Sequence, residues 1–357
     1  MGVFEMVSAD GYEQVDFWFD KPTGLKAIIA IHSTTLGPAL GGVRMWPYKS
    51  EEEALTDVLR LAKGMTYKAA AAGLNLGGGK AVIIGDPKQQ KSEALLRAFG
   101  RAVESLHGRY ITAEDMGTNI WDMDHISVET RYVTGLLASK GGSGDPSPVT
   151  AYGVYTGLKA CCKEVFGDAS LNGKTVAIQG TGSVGYNLAK HVYKEGGRVV
   201  ATDVSGENLE RVVRDFNVET VKPEDIYGVD CEIFAPCAVG AVINDQTINR
   251  LKCKIIAGAA NNQLEHERHG DLLHQKGILY APDFVINAGG LLNVYEELHG
   301  YNRERAMQKV GQLFQAITSI VQMSRRENIP TYQAANHVAE DRIRLIREVS
   351  RTYLKRN

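Results

Sequence analysis

Residues 25–32, Leu-Lys-Ala-Ile-Ile-Ala-Ile-His, form a short apolar run dominated by β-branched side chains, which predicts a buried strand. The period then changes. Ala54, Val58, Leu61 and Met65 recur at helical spacing behind Ser50 and Glu53, a capping-box pair, so a helix opens at Ser50 and carries Lys68 in or just after its last turns. Residues 80–86 return to a strand pattern, which Pro87 stops. Ser92 caps a helix bearing Leu95, Phe99, Val103 and Leu106, ended by Gly108. Arg109 to Thr112 reads as a strand, and Ala113-Glu-Asp-Met-Gly117 as a turn, which puts Asp115 at a strand terminus.

Gly141-Gly-Ser-Gly-Asp-Pro-Ser-Pro148 then breaks the pattern and reads as a linker. After a helix from Thr150, strands at 174–179, 198–202, 231–235, 254–258 and 278–280 alternate with helical patterns, which argues a parallel, doubly wound sheet. Two helical stretches, roughly 301–327 and 331–354, finish the chain. The expected fold class is α/β with two domains. Residues 1–140 plus about 330–357 are expected to form one α/β domain, with the C-terminal helices packing back on it. Residues 141–329 form a Rossmann-type domain.

Composition narrows the partners. The chain has 357 residues, 44% apolar, and 40 basic against 42 acidic side chains leave a net charge of −2, so no basic stripe recommends nucleic acid or an anionic membrane. The apolar runs are strand-sized, far short of a membrane span, and Met1 to Asp10 lacks a secretory pattern. Five cysteines without CxxC spacing read as reduced thiols in a cytoplasmic protein. His266 and His269 read as a solvated helix face, and no metal site is expected.

Two motifs carry chemistry. Gly180-Thr181-Gly182-Ser183-Val184-Gly185 has the strand, helix and following acid, Asp203, that a dinucleotide fingerprint requires. Its glycines serve the tight turn, close approach to pyrophosphate, and helix–strand packing. Asp203 should accept from the ribose hydroxyls and repel a 2′-phosphate, and Val204 and Ser205 offer no cation to welcome one, so NAD is expected over NADP. The second motif is Gly77-Gly-Gly-Lys80. A P-loop fails, because Leu74 and Ala81 stand where its glycine and hydroxyl belong. A bland turn with an exposed lysine, and a lysine desolvated near a second cation and serving as a base, both remain. No acid lies between Lys63 and Lys80, which favours the second of these. Asp115 is either a turn-capping carboxylate or a functional one.

These segments, with Lys63-Gly-Met-Thr-Tyr-Lys68, Thr34 to Gly42, Pro146 to Thr150, Ala259-Ala-Asn-Asn-Gln263 and Asn287-Ala-Gly-Gly290, resemble the amino acid dehydrogenases of the glutamate/leucine/phenylalanine/valine group. The resemblance runs from near residue 25 to about 300. It implies a cleft that closes on substrate and reversible, NAD-dependent oxidative deamination of leucine and other branched-chain amino acids to 2-oxo acids and ammonia. Phenylalanine and valine are the alternatives within the group. It further implies that Lys68 binds the substrate carboxylate, Lys80 is the acid/base and Asp115 assists, while Gly41 and Asn287 help hold the carboxylate. Leu40, Ala113, Leu291 and Val294 would line the side-chain pocket. Thr150 and Asn261 would lie at the nicotinamide end, and Ala235, Cys237 and Ala238 at the adenosine end. A homo-oligomer is also implied, with residues 1–140 and about 330–357 as the substrate and oligomerisation domain. Outside the group, a non-catalytic NAD-binding regulator would lack the lysines, and a 2-hydroxy-acid dehydrogenase would need a histidine beside these blocks.

Overall fold

The computed structural model describes residues 2–349. The chain clusters into two compact units, one of residues up to Gly144 with Val294–Asn302 and the stretch from Ala339, the other of Asp145–Asn293 and Arg303–Val338. The sequence reading leaves Val294–Asn302 in the dinucleotide domain, but the structure packs it with the first unit.

The first unit holds strands β1 (Gln14–Asp20), β2 (Leu25–Ser33), β3 (Ala39–Leu40), β4 (Val43–Trp46), β5 (Gly77–Ile84) and β6 (Tyr110–Ile111). Its helices are α1 (Val3–Ala9), α2 (Glu51–Ala71), α3 (Glu93–Glu104) and α4 (Ile120–Ser127). The sheet is mixed. β1, β2 and β5 pair antiparallel, while β3, β4 and β6 run parallel to β5 or to one another. Strand side chains alternate faces, so β2 serves two cores. Leu25, Ala27, Ile29 and Ile31 pack with Leu96, Phe99 and Val103 of α3, and Ile28 and Ala30 with Leu55, Val58 and Ala62 of α2.

Helix α2 departs from the expected pattern in two ways. Ser50 accepts the Glu53 N–H at 3.1 Å, but the Glu53 carboxylate takes the Lys49 N–H at 2.7 Å instead of closing the box on Ser50. Its buried face is also rotated toward Leu55, Leu59 and Ala62, leaving Leu61 and Met65 half-buried.

The second unit opens with α5 (Ser147–Phe166), begun by the prolines of the expected linker, since proline suits a first helical turn. Strands β7 (Thr175–Gln179), β8 (Arg198–Thr202), β9 (Glu219–Thr220), β10 (Ile233–Pro236), β11 (Ile255–Ile256) and β12 (Leu279–Tyr280) form one sheet, all pairs parallel, in the order β9-β8-β7-β10-β11-β12. That is the doubly wound order of dinucleotide-binding sheets, reversing between β7 and β10. Helices α6 (Ser183–Lys194), α7 (Gly206–Phe216), α8 (Glu267–Gln275), α9 (Asp283–Ile286), α10 (Gly289–Tyr295), α11 (Arg303–Gly311), α12 (Leu313–Glu327) and α13 (Thr331–Val349) follow, the end of α10 and α13 from Ala339 clustering with the first unit.

The single stretch expected over 301–327 is two helices, broken beside Gly311, where glycine weakens the helix. The part of the last expected helix at 350–354 lies outside the described residues. His269 is fully buried, not on a solvated face. Its Nδ1 accepts the His266 N–H at the start of α8, and its Nε2 lies 3.1 Å from Asp245. No described helix is long and apolar enough to cross a membrane.

Candidate active site

In the first unit β3 and β4 are one line of chain interrupted at Gly41–Gly42. Leu40 pairs with Gly78 on one side of the gap and Val43 with Ala81 on the other. On its far edge the same line pairs Leu40 with Ile111 and Val43 with Glu114. Lys80 on β5 and Asp115 in the turn after β6 therefore lie on opposite sides of this line, roughly two strand spacings or about 10 Å apart across the sheet. Lys80 Nζ nevertheless lies 2.9 Å from Asp115 Oδ1.

Glycine makes the crossing possible. A Cβ on Gly42 would stand 2.9 Å from the Asp115 Cβ and 2.3 Å from the Glu114 carbonyl oxygen, and one on Gly41 only 1.8 Å from the Gly79 carbonyl oxygen. The three glycines before Lys80 are strand, not turn, which removes the bland-turn reading. A Cβ on Gly77 would meet the Ser33 carbonyl at 1.9 Å, and one on Gly78 the Thr66 nitrogen of α2 at 2.1 Å. The end of α2 is thereby seated directly on β5, with half-buried Lys68 in its last turn.

The Lys80 side chain is 5% exposed, and burial pulls its pKa below the ordinary lysine value, although Asp115 partly offsets this. Burial works against ionising Asp115 too, but Lys80 and Arg44 outweigh it and hold that carboxyl at about 2. Asp115 is further fixed by its turn, where its N–H donates to Thr118 Oγ1, and the Thr118 hydroxyl donates to the Val43 carbonyl at 2.8 Å. Leu40 and Ala113 are buried beside the gap, and Val294 clusters with this unit.

Sequence reasoning missed several neighbours. Arg44 Nε donates to Asp115 Oδ2 at 2.8 Å, and its Nη1 to Asp57 Oδ2 at 2.9 Å. Tyr48 and Arg60 also bind Asp57, and the buried Tyr110 hydroxyl donates to the Gly41 carbonyl. The signal for Arg44 was present as a lone cation between Val43 and Met45 in a strand pattern.

In the second unit the glycine turn follows β7. Gly180 has φ of +92°, a conformation that favours glycine, and a Cβ on Gly185 would lie 1.9 Å from the Gly180 carbonyl. Nothing lies within 4 Å of a Cβ at Gly182, and no side chain caps the start of α6, so its first N–H groups could hold a phosphate. Asp203 Oδ2 accepts from the Thr181 N–H at 2.6 Å and its Oδ1 from the Ser205 N–H at 2.8 Å. Burial opposes ionising Asp203, but these donors win and its pKa falls.

Ala238 packs on Gly180, and Cys237 N–H donates to the Gln179 carbonyl at 2.7 Å, so the segment from Ala235 adjoins the turn. Burial pushes the Cys237 thiol up to about 11. Asn287 Nδ2 donates to Asn261 Oδ1 at 2.7 Å and to the Ala259 carbonyl at 3.2 Å. Thr150, at the start of α5, faces Gly290, and Leu291 is buried on α10. Arg211 was missed here. From α7 it lies over the Tyr186 ring at 4.1 Å and reaches the Thr181 carbonyl at 3.5 Å.

A sheet and turn built to take a dinucleotide, with a buried amine beside a carboxylate on a separate unit, place the protein among nicotinamide-dependent amino acid dehydrogenases. Similarity to known proteins narrows this further. Residues 13–132 match the model of the Glu/Leu/Phe/Val dehydrogenase dimerisation domain, and residues 141–208 and 203–349 that of Glutamate/Leucine/Phenylalanine/Valine dehydrogenase. The chain belongs to this family. It is 59% identical over 355 residues to leucine dehydrogenases of Thermoactinomyces intermedius and Geobacillus stearothermophilus, which covers 99% of this chain and 97% of each relative. Identity to phenylalanine dehydrogenase of Lysinibacillus sphaericus is 49% over 346 residues, 96% of this chain and 90% of that one. The crystal structure of L-tryptophan dehydrogenase from Nostoc punctiforme superposes with a TM-score of 0.88 at 46% identity, covering 97% of this chain and 99% of that one.

Proposed function

We propose that the protein catalyses reversible, NAD-dependent oxidative deamination of L-leucine and other branched-chain L-amino acids to 2-oxo acids and ammonia. The observation that carries this reading is Lys80 Nζ, buried and 2.9 Å from Asp115, at a break in the sheet. The choice of leucine is supported by the names of the relatives at 59% identity and by the apolar, buried Leu40 and Ala113.

Lys68 supplies a fixed positive charge for the substrate carboxylate, assisted by the Gly41 backbone and the Asn287 side chain, and so orients the amino acid. A bound nicotinamide supplies the hydride acceptor. Lys80, neutral, takes a proton from water as that water attacks the iminium carbon, and returns it to the departing amine. Asp115 steadies the positive charge that develops on substrate and on Lys80. The coenzyme would be held by the turn from Gly180 to Gly185, with Asp203 toward the ribose, Ala235, Cys237 and Ala238 at the adenosine, and Thr150 and Asn261 at the nicotinamide. Asp203 favours NAD, because its negative charge repels a 2′-phosphate.

Leu291 supports phenylalanine as the second reading, since the leucine-type pattern has valine there. The five reduced cysteines support a cytoplasmic location, and the dimerisation-domain match supports a homo-oligomer. The deciding experiment is a panel of amino acids with NAD and with NADP, read as NADH-band absorbance. Leucine with NAD should give the highest kcat/KM. A higher value with phenylalanine or NADP would reverse the corresponding assignment, and no turnover of any amino acid would refute the activity.

A further inference from the structure

Asp115 has two carboxylate oxygens, and they face different partners. Oδ1 meets Lys80 Nζ at 2.9 Å, and Oδ2 meets Arg44 Nε at 2.8 Å. The other arm of the guanidinium is tied to Asp57 Oδ2 at 2.9 Å, and Asp57 is in turn held by the Tyr48 hydroxyl at 2.7 Å and by Arg60 at 2.9 Å. The chain Lys80–Asp115–Arg44–Asp57 thus alternates in sign, and all four side chains are at most 24% exposed. Each link comes from a different element, namely β5, the turn after β6, β4 and α2.

We propose that Arg44 is a positioning residue for proton transfer, clamping Asp115 Oδ2 so that Oδ1 is presented to Lys80 and only part of the carboxylate's charge reaches the amine. A planar guanidinium can bind two carboxylates in fixed directions, which an ammonium cannot. Without Arg44, Asp115 would face Lys80 with its charge uncompensated and would hold the proton on the amine more firmly. The groups acting on Lys80 divide as the clamp requires, with Arg44 opposing Asp115. Asp115 and Asp57 favour its charged form, whereas Arg44 and burial disfavour it. Tyr110, also buried nearby, is committed to the Gly41 carbonyl, and Lys68 stands in the last turn of the helix that carries Asp57.

The inference rests on Lys80 being the acid/base, and the test separates the two. Pure, folded Arg44→Met, Arg44→Lys and Lys80→Ala enzymes would be assayed with leucine and NAD across pH. Lys80→Ala should lose nearly all kcat, and if it does not, the acid/base reading fails and this inference with it. Given that loss, Arg44→Met should move the acidic limb of kcat/KM to higher pH by about one unit. A limb that superposes on wild type, or moves to lower pH, overturns the inference while leaving Lys80 in its role. Arg44→Lys keeps the charge without the fork, so kcat should fall about tenfold with the KM for leucine little changed. If Arg44→Met does not fold, Arg44→Lys decides alone, and wild-type kcat in that variant overturns the clamp.

Discussion

Lys80 is an amine whose ordinary pKa lies far above neutrality, held where water scarcely reaches it. Burial lowers that pKa and Asp115 raises it again, with burial the larger. In the proposed mechanism Lys80 acts in its neutral form, so kcat/KM should rise with pH through a limb below about 10.4, the free lysine value. Lys80→Ala should lose at least about a hundredfold in kcat with an unchanged circular-dichroism spectrum. Lys68→Ala should instead act mainly through KM for the amino acid. Gly42→Ala tests the crossing itself, because the added methyl would lie 2.9 Å from the Asp115 Cβ. It should cost most of the activity, and a variant as active as wild type would show that the side chain does not need that open lane. Residue identity alone exposed little of this arrangement. Lys80 and Asp115 were singled out by spacing and family resemblance. Arg44 and Tyr110 join them through strand register, which brings together positions up to 71 apart in the chain, and Asp57 through the packing of α2.

Among the elements, α2 carries Lys68 and packs on β5, the strand of Lys80, and α13 completes it from far along the chain. The last carbonyls of a helix lack partners within it. Arg342 of α13 donates to the Ala70 carbonyl at 3.1 Å, the Leu74 carbonyl at 2.7 Å and Asn75 Oδ1 at 3.0 Å, all at or just beyond the end of α2. Nearby, Tyr67 donates to Glu340 at 2.8 Å. Arg342→Met should therefore destabilise the protein by about 1–3 kcal/mol and raise KM for the amino acid, since Lys68 rides on that turn. A thermal melt with parallel kinetics would reveal either effect. Strands and helices with one clear period, such as β2 and α3, were legible from sequence. Where glycine carried the pattern, as at Gly77–Gly79 and Gly311, the outcome depended on close approaches that only the packed chain defines. His269 escaped for a similar reason, because it folds back to close the start of its own helix.

At the scale of the molecule, the first unit ends its sheet in a seven-residue edge, β1, on which Phe17 is 58% and Phe19 67% exposed. An exposed apolar edge invites pairing with another chain, consistent with the dimerisation-domain match of residues 13–132. Phe17→Asp combined with Phe19→Asp should yield a smaller species in analytical ultracentrifugation than wild type. An unchanged sedimentation coefficient would place self-association elsewhere. The alternation of strands and helices after residue 174 made the second unit's parallel sheet readable, whereas the assignment of Val294–Asn302 to the first unit had no local signature.

The missing side chains at Gly41 and Gly42 also bear on how such an enzyme can diversify. Because the amine reaches its carboxylate across bare backbone, its placement owes nothing to the bulk of Leu40 or Ala113 on either flank. If the proposed assignment holds, those flanking side chains can change size for a larger or smaller guest while Lys80 and Asp115 keep their contact. Relatives named for leucine, phenylalanine and tryptophan, between 46% and 59% identical to this chain, are what such a division of labour would produce.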